Sequence, residues 1–136
     1  MDTNVLIDFL ADRQPFSLDA AKLFNLSFSG KLRIYISAVS YNNIYYILRQ
    51  SLSNNETIKL LHQLSAMTEI IDVNRSIIQQ SLKTDFTDFE DAIQYYCALS
   101  LPKTNCIVTR DTKDFKKSNL PVMTPKEAVS LFMPVQ

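Results

Sequence analysis

Apolar residues along the chain recur at three- and four-residue spacings in stretches that alternate with short apolar runs. Helix and strand patterns alternating in this way predict an α/β fold around a parallel sheet. Ser17 is placed to cap a helix over 17–28, with Leu18, Ala21 and Phe24 along one face and Gly30 just past its end. Residues 32–36 read as a short buried strand. Ser40 opens a helix over 40–50 whose core side carries Tyr41, Ile44, Tyr45 and Leu48. Ser53 with Glu56 has the spacing of a capping box for a helix over 54–67. A strand over 69–73 follows, then a helix over 75–83 capped by Asn74.

After a polar connection, Asp88 is placed to cap a helix over 89–101, with Phe89, Ile93, Tyr96 and Cys97 as its core stripe. Asp91 lies off that stripe, near Gln94 and Tyr95, where a polar group can face a cleft. Pro102 stops the helix. Strands over 106–109 and 121–123 come next, and Thr124-Pro125-Lys126-Glu127 gives a last capping box with proline at the first helical position. No repeat, linker or low-complexity segment interrupts the pattern, so 1–136 is read as a single domain. A strand leading into Asp2 would need about five apolar residues before it. They are missing, so the expectation is a start upstream of Met1 or a first strand largely absent; Val5-Leu6-Ile7 reads as the turn into the first helix.

Composition removes several options. The one glycine, Gly30, excludes Gly-rich phosphate loops. Lys+Arg and Asp+Glu both count 14, so no overall charge advertises nucleic acid, although Lys103, Arg110, Lys113, Lys116 and Lys117 make a local basic group. Cys97 and Cys106 have no zinc-like spacing and read as reduced core residues; His62 reads as a structural or surface residue on an amphipathic helix. With no signal peptide or membrane-length apolar run, a cytoplasmic protein without a membrane partner is expected.

The informative residues are acids far apart in sequence: Asp2, Asp91, Asp111 and Asp114. They stand at strand ends and helix starts, positions that converge at the carboxyl edge of a parallel sheet. Carboxylates gathered there repel: at about 4 Å and an effective dielectric near 20, each pair costs roughly 4 kcal/mol. A hard cation such as Mg²⁺ or Mn²⁺ relieves that cost and takes oxygen ligands. Each acid also has a purely structural reading. Asp91 in the first helical turn meets the helix dipole favourably, Asp111 can cap a short turn, and Glu90 is expected to face solvent. Tyr46 and Tyr95 are the tyrosines expected to be exposed and able to stack on bases.

Met1-Asp2-Thr3-Asn4, Ile36-Ser37-Ala38-Val39-Ser40, Phe89-Glu90-Asp91-Ala92 and Thr109-Arg110-Asp111 with Asp114-Phe115 follow in order, and together they resemble the PIN-domain family of nucleases. The resemblance implies a three-layer α/β/α sandwich with a central parallel sheet. It implies a Mg²⁺- or Mn²⁺-dependent endoribonuclease, with VapC-like toxins held by an antitoxin among its bacterial members, and a tendency to dimerise. In that frame Asp2, Asp91 and Asp111 are the metal ligands, and Asp111 or Asp114 orients water. Thr3 and Asn4 support Asp2, while Arg110 and Lys113 meet phosphates. The family's second acidic position usually holds Glu; here it is Asn43, similar to a bacterial PIN subgroup in which Asn is usual. A neutral amide weakens the site, so one tight metal site and at most one weak one are expected. The competing expectation is a weak or inactive PIN fold that binds RNA or a protein. A phosphatase of the haloacid-dehalogenase kind is disfavoured, because Asn4 stands where its motif needs a second Asp.

Overall fold

The computed structural model describes residues 1–133. Helix α1 (Thr3–Leu10) starts at once after Asp2, and α2 (Ser17–Phe28) follows. Strand β1 (Tyr35–Ser37) leads into α3 (Ala38–Leu48), α4 (Asn54–Met67), β2 (Glu69–Ile71), α5 (Arg75–Leu82) and α6 (Phe89–Ser100). Strand β3 (Ile107–Val108), a 3-10 turn (Thr112–Phe115), β4 (Val122–Met123) and α7 (Pro125–Phe132) complete the described chain. The fold is α/β, as the alternation of patterns predicts.

The strands do not form one continuous sheet. β1 pairs β2 in parallel, with Tyr35 opposite Glu69, and β3 pairs β4 in parallel, with Ile107 opposite Val122. Between the two pairs lies the dipeptide Met1-Asp2. The Met1 nitrogen donates to the Tyr35 carbonyl on β1 at 2.9 Å, and the Asp2 N–H donates to the Val108 carbonyl on β3 at 2.9 Å. Successive N–H groups pointing to opposite sides are the signature of an extended strand. The dipeptide therefore lies extended between β1 and β3, bonded to one strand on each side.

Val5, Leu6 and Ile7 are fully buried. Leu6 and Ile7 pack with Phe24, Ile34, Ile36, Ile44, Leu48 and Leu64 into the largest core cluster. Burying side chains of this size contributes about 1.5–3 kcal/mol each, which holds α1 tightly beneath Asp2. Phe9 stacks on Phe24 with centroids 4.0 Å apart. A second cluster joins Leu23 and Leu26 of α2 to Val108, Ala128 and Val129.

Several local expectations hold. Ser53, Asn74, Asp88 and Thr124 cap their helices, the last in a full capping box with Glu127. Others shift. The side-chain cap of α3 is Ser37, not Ser40, because the helix begins directly off β1; Ser40 is buried and accepts from the Thr3 hydroxyl. Leu18 is 62% exposed, since α2 turns Ala20, Leu23 and Phe24 inward instead. On α6, Phe89 is exposed and Tyr95 is buried, stacked on Phe86. The core stripe there runs through Ala92, Ile93, Tyr95, Cys97 and Ala98, so Tyr95 is not an exposed stacking residue; Tyr46 is exposed. No helix among the described residues is long and apolar enough to cross a membrane.

Candidate active site

Asp2 sits at the N-terminus of α1 but does not cap it with its side chain. Its carboxylate is buried and fully engaged: Oδ1 accepts from Gln94 Nε2 at 3.1 Å and Oδ2 from Thr109 Oγ1 at 2.7 Å. Three distant segments thus meet at one side chain: α1, the middle of α6 and the residue after β3. The sequence expectation gave the support of Asp2 to Thr3 and Asn4. The structure gives it to Thr109 and Gln94, while Thr3 bonds Ser40 at 3.0 Å and lies 3.4 Å from the Gln94 amide. Asn4 is half-buried.

Around Asp2 the first turn of α6 brings Glu90 and Asp91. Asp88 holds that turn by accepting the Asp91 N–H at 3.0 Å. Glu90 does not face solvent: it is half-buried and accepts from the Asn43 side-chain amide of α3 and from Gln94 Nε2 at 3.3 Å. Burial pushes its carboxyl above the ordinary range, and the charges of Asp2 and Asp88 add to the rise against the hydrogen bonds from Thr3 and Asn43. Asp91 is pushed further, to about 7, first by burial and then by Asp2, Asp88, Asp114 and Glu90. A half-buried carboxyl surrounded by four like charges resists ionising.

Of the late residues, Asp114 is the one whose charge is felt at Asp91. It lies exposed on the 3-10 turn. Asp111 stands at the head of that turn without a side-chain cap bond, and its N–H donates to Thr109 Oγ1 at 3.0 Å. Lys113 is exposed on the same turn. Arg110 is committed elsewhere. Its Nε donates to Asp8 Oδ2 at 2.6 Å and its Nη2 to Asp8 Oδ1 at 3.3 Å, and its guanidinium lies 3.9 Å from the Phe16 ring centroid. Asp8 is 1% and Arg110 26% exposed, so this largely buried ion pair fixes the β3 end to α1. The sequence pattern missed Gln94, Glu90 and Asp8. A helical i to i+4 relation between Glu90 and Gln94, which puts both on one side of α6 next to Asp91, was the available signal.

The sequence matches the PIN domain family model over residues 1–113. The chain belongs to the PIN-domain family. No curated protein sequence matches it closely enough to count as a relative. The matched span covers Asp2, Asn43, Glu90, Asp91 and Asp111 and stops one residue before Asp114. PIN domains are in general nucleases.

The donor set suits a divalent cation in part. Asp2, Glu90, Asp91 and Asp114 are all oxygen donors within electrostatic reach, and Gln94 Oε1 is a buried acceptor without a hydrogen-bond partner among the described residues. Yet no three His, Cys, Asp or Glu side chains among the described residues close on one point. An all-protein cage is thus not formed by these side chains, whereas Mg²⁺ in general can be held by one or two carboxylates plus water and phosphate.

Proposed function

We propose that this PIN domain, acting as one unit, is a metal-dependent endoribonuclease that hydrolyses RNA phosphodiester bonds. The observation that carries the reading is the carboxyl of Asp91, lifted to about 7 by the acids around it. Such a group is poised to exchange protons at neutral pH and gains most from a cation beside it. Asp91 and Asp2 would hold Mg²⁺ or Mn²⁺, with Glu90 alongside. When bound, the ion supplies charge neutralisation and polarisation of the phosphate and its attacking water. Thr109 and Gln94 keep the Asp2 oxygens oriented. Asp114, with Asp111 at the head of its turn, orients the water, and Lys113 draws in the strand. Asn43 restrains Glu90 instead of adding a charge, which suits one ion better than two.

RNA as substrate, a VapC-like toxin role with an antitoxin partner, and a homodimer extend this reading. The test is cleavage of single-stranded RNA with Mn²⁺, with EDTA and with Asp91→Asn. Cleavage that needs the metal and is lost in the variant supports it; equal cleavage by the variant removes it.

A second reading rests on the engaged state of Asp2. Both of its oxygens are taken by Gln94 and Thr109, an arrangement also suited to a PIN fold that binds RNA or a protein without cutting. Calorimetry showing no uptake of Mn²⁺, together with retained RNA binding, would select it.

A further inference from the structure

Two aromatic side chains stand in water close to the acids. Tyr46 of α3 is 64% exposed, and Phe89, the first residue of α6, is 47% exposed. Val39, Asn43 and Tyr46 share one flank of α3, at positions i, i+4 and i+7. Val39 packs against the cluster of Ile77, Ile93 and Cys97, and the Asn43 amide donates to Glu90. Moving along α3 from Val39 to Asn43 thus means moving back along α6 from Ile93 to Glu90, so the two helices lie side by side in opposite directions. Tyr46 stands about 4.5 Å beyond Asn43 along the helix axis, level with the start of α6. Phe89 lies four residues before Ile93, on the flank of α6 that carries Ile93. Both rings are therefore at the open end of the α3–α6 seam, one helical step from the Asn43–Glu90 bond.

The Tyr46 ring is braced. Tyr45 meets it edge-on, with centroids 5.6 Å apart and planes at 85°. The Tyr45 hydroxyl in turn donates to Asn54 Oδ1 at 2.6 Å, at the first residue of α4. A ring held this way gives up little rotamer freedom when another ring lies on it. Arg49 is exposed just past the end of α3, three residues after Tyr46, with its Nη1 donating to the Leu52 carbonyl at 2.8 Å. It has no acidic partner among the described residues. Aromatic faces beside a cation without a counter-charge suit the base and the phosphate of a nucleotide. An apolar protein face would cover the guanidinium with nothing that answers its charge.

We propose that Tyr46 and Phe89 form a stacking subsite for one unpaired nucleobase, the base next to the phosphate that lies over the acids, with Arg49 meeting the phosphate beyond it. The subsite rests on the RNA reading above and adds a preference to it. The strand crosses the acids between the 3-10 turn that carries Lys113 and the flank of α3 that carries Tyr46. Stacking on an aromatic face accepts any base, so the subsite selects strandedness and not sequence. A paired base has both faces covered by its neighbours and must leave the stack to reach Tyr46; a duplex forfeits the contact.

The test is fluorescence anisotropy of a short labelled single-stranded RNA with hydrolysis-resistant phosphorothioate linkages, so that binding is read apart from cleavage. Tyr46→Ala is expected to weaken binding about 10-fold and Phe89→Leu about 5-fold, while Tyr46→Phe leaves it unchanged. The same strand made abasic is expected to bind parent and variants alike. Full affinity in Tyr46→Ala overturns the subsite, and so does an equal loss on the abasic strand. An unchanged Kd together with a parent dimer that Tyr46→Ala splits assigns the rings to a second copy and overturns it too. A parent that binds no RNA removes the RNA reading itself and the subsite with it, an outcome distinct from a parent that binds with Tyr46 indifferent. Should a variant fail to fold, photocrosslinking of thiouridine-substituted RNA to the parent decides: adducts on Tyr46 or Phe89 support the subsite, and adducts confined to other residues, or none, overturn it.

Discussion

The hydroxyl of Thr109 donates to Asp2 Oδ2 at 2.7 Å across 107 residues of sequence, and the same oxygen accepts the Asp111 N–H at 3.0 Å. One buried atom thus ties the first acid of the cleft to the last turn that faces it.

Thr109→Val keeps the shape and removes that atom. Two bonds are lost, one of them to a buried carboxylate, so stability is expected to fall by about 1–3 kcal/mol in urea unfolding. RNA cleavage by the folded protein should fall with it, because the Asp2 carboxylate loses its orientation. Thr109→Ser should retain most of both, and a Ser variant as weak as Val would argue against the hydroxyl.

Arg110→Ala removes both hydrogen bonds that Asp8 accepts from Arg110 and leaves it only Arg13, 4.0 Å away. Asp8 is 1% exposed and its carboxyl is already raised by burial, against the lowering effect of Arg110. Because Arg110 is partly exposed and Arg13 remains nearby, the loss is expected to be about 1.5–3 kcal/mol, that of a hydrogen bond to a charged group, and the Phe16 stack goes as well. Arg110→Ala with Asp8→Asn should recover a large part of that loss. A folded single variant with unchanged Tm but weak RNA binding would instead return Arg110 to phosphate contact.

The pH dependence follows from Asp91. Its folded value of about 7 exceeds the ordinary 3.8, so between those pH values the native state holds a proton that the unfolded chain has released. Stability is expected to fall as pH rises through that window, with the full cost present above it. After discounting for half exposure, the cost is roughly 1–2 kcal/mol. Asp91→Asn should flatten the profile and raise Tm at pH 8, and Mn²⁺ should stabilise the parent more at pH 8 than at pH 5. A profile identical in parent and variant would remove the carboxylate cluster as its cause.

Asn43→Asp replaces a donor to Glu90 with a like charge. Without metal it should lower Tm, since two half-buried acids then face each other. With Mn²⁺ it should tighten binding about 10-fold, measured by calorimetry. Unchanged affinity would place Asn43 outside the ion's surroundings.

The family and the α/β class were legible because they rest on local signals: caps, periodicity and short acidic frames. Asp2 and Asp91 were picked out as candidates for the same reason. Gln94, Glu90 and Asp8 were not, because a polar residue on a helix looks alike whether it faces water or a partner many residues away. The Asp8 partner of Arg110 was hidden on that account: beside Asp111 Arg110 looks like a phosphate ligand, and only the packing of α1 under β3 delivers Asp8 to it. Ser37 and Ser40 exchanged roles because the first caps the helix while the second is drawn inward by Thr3.

Met1-Asp2 bonds Tyr35 on one strand pair and Val108 on the other. A backbone change at this dipeptide therefore loosens both pairs together, and a displacement of Asp2 is felt at β1 as well as at β3.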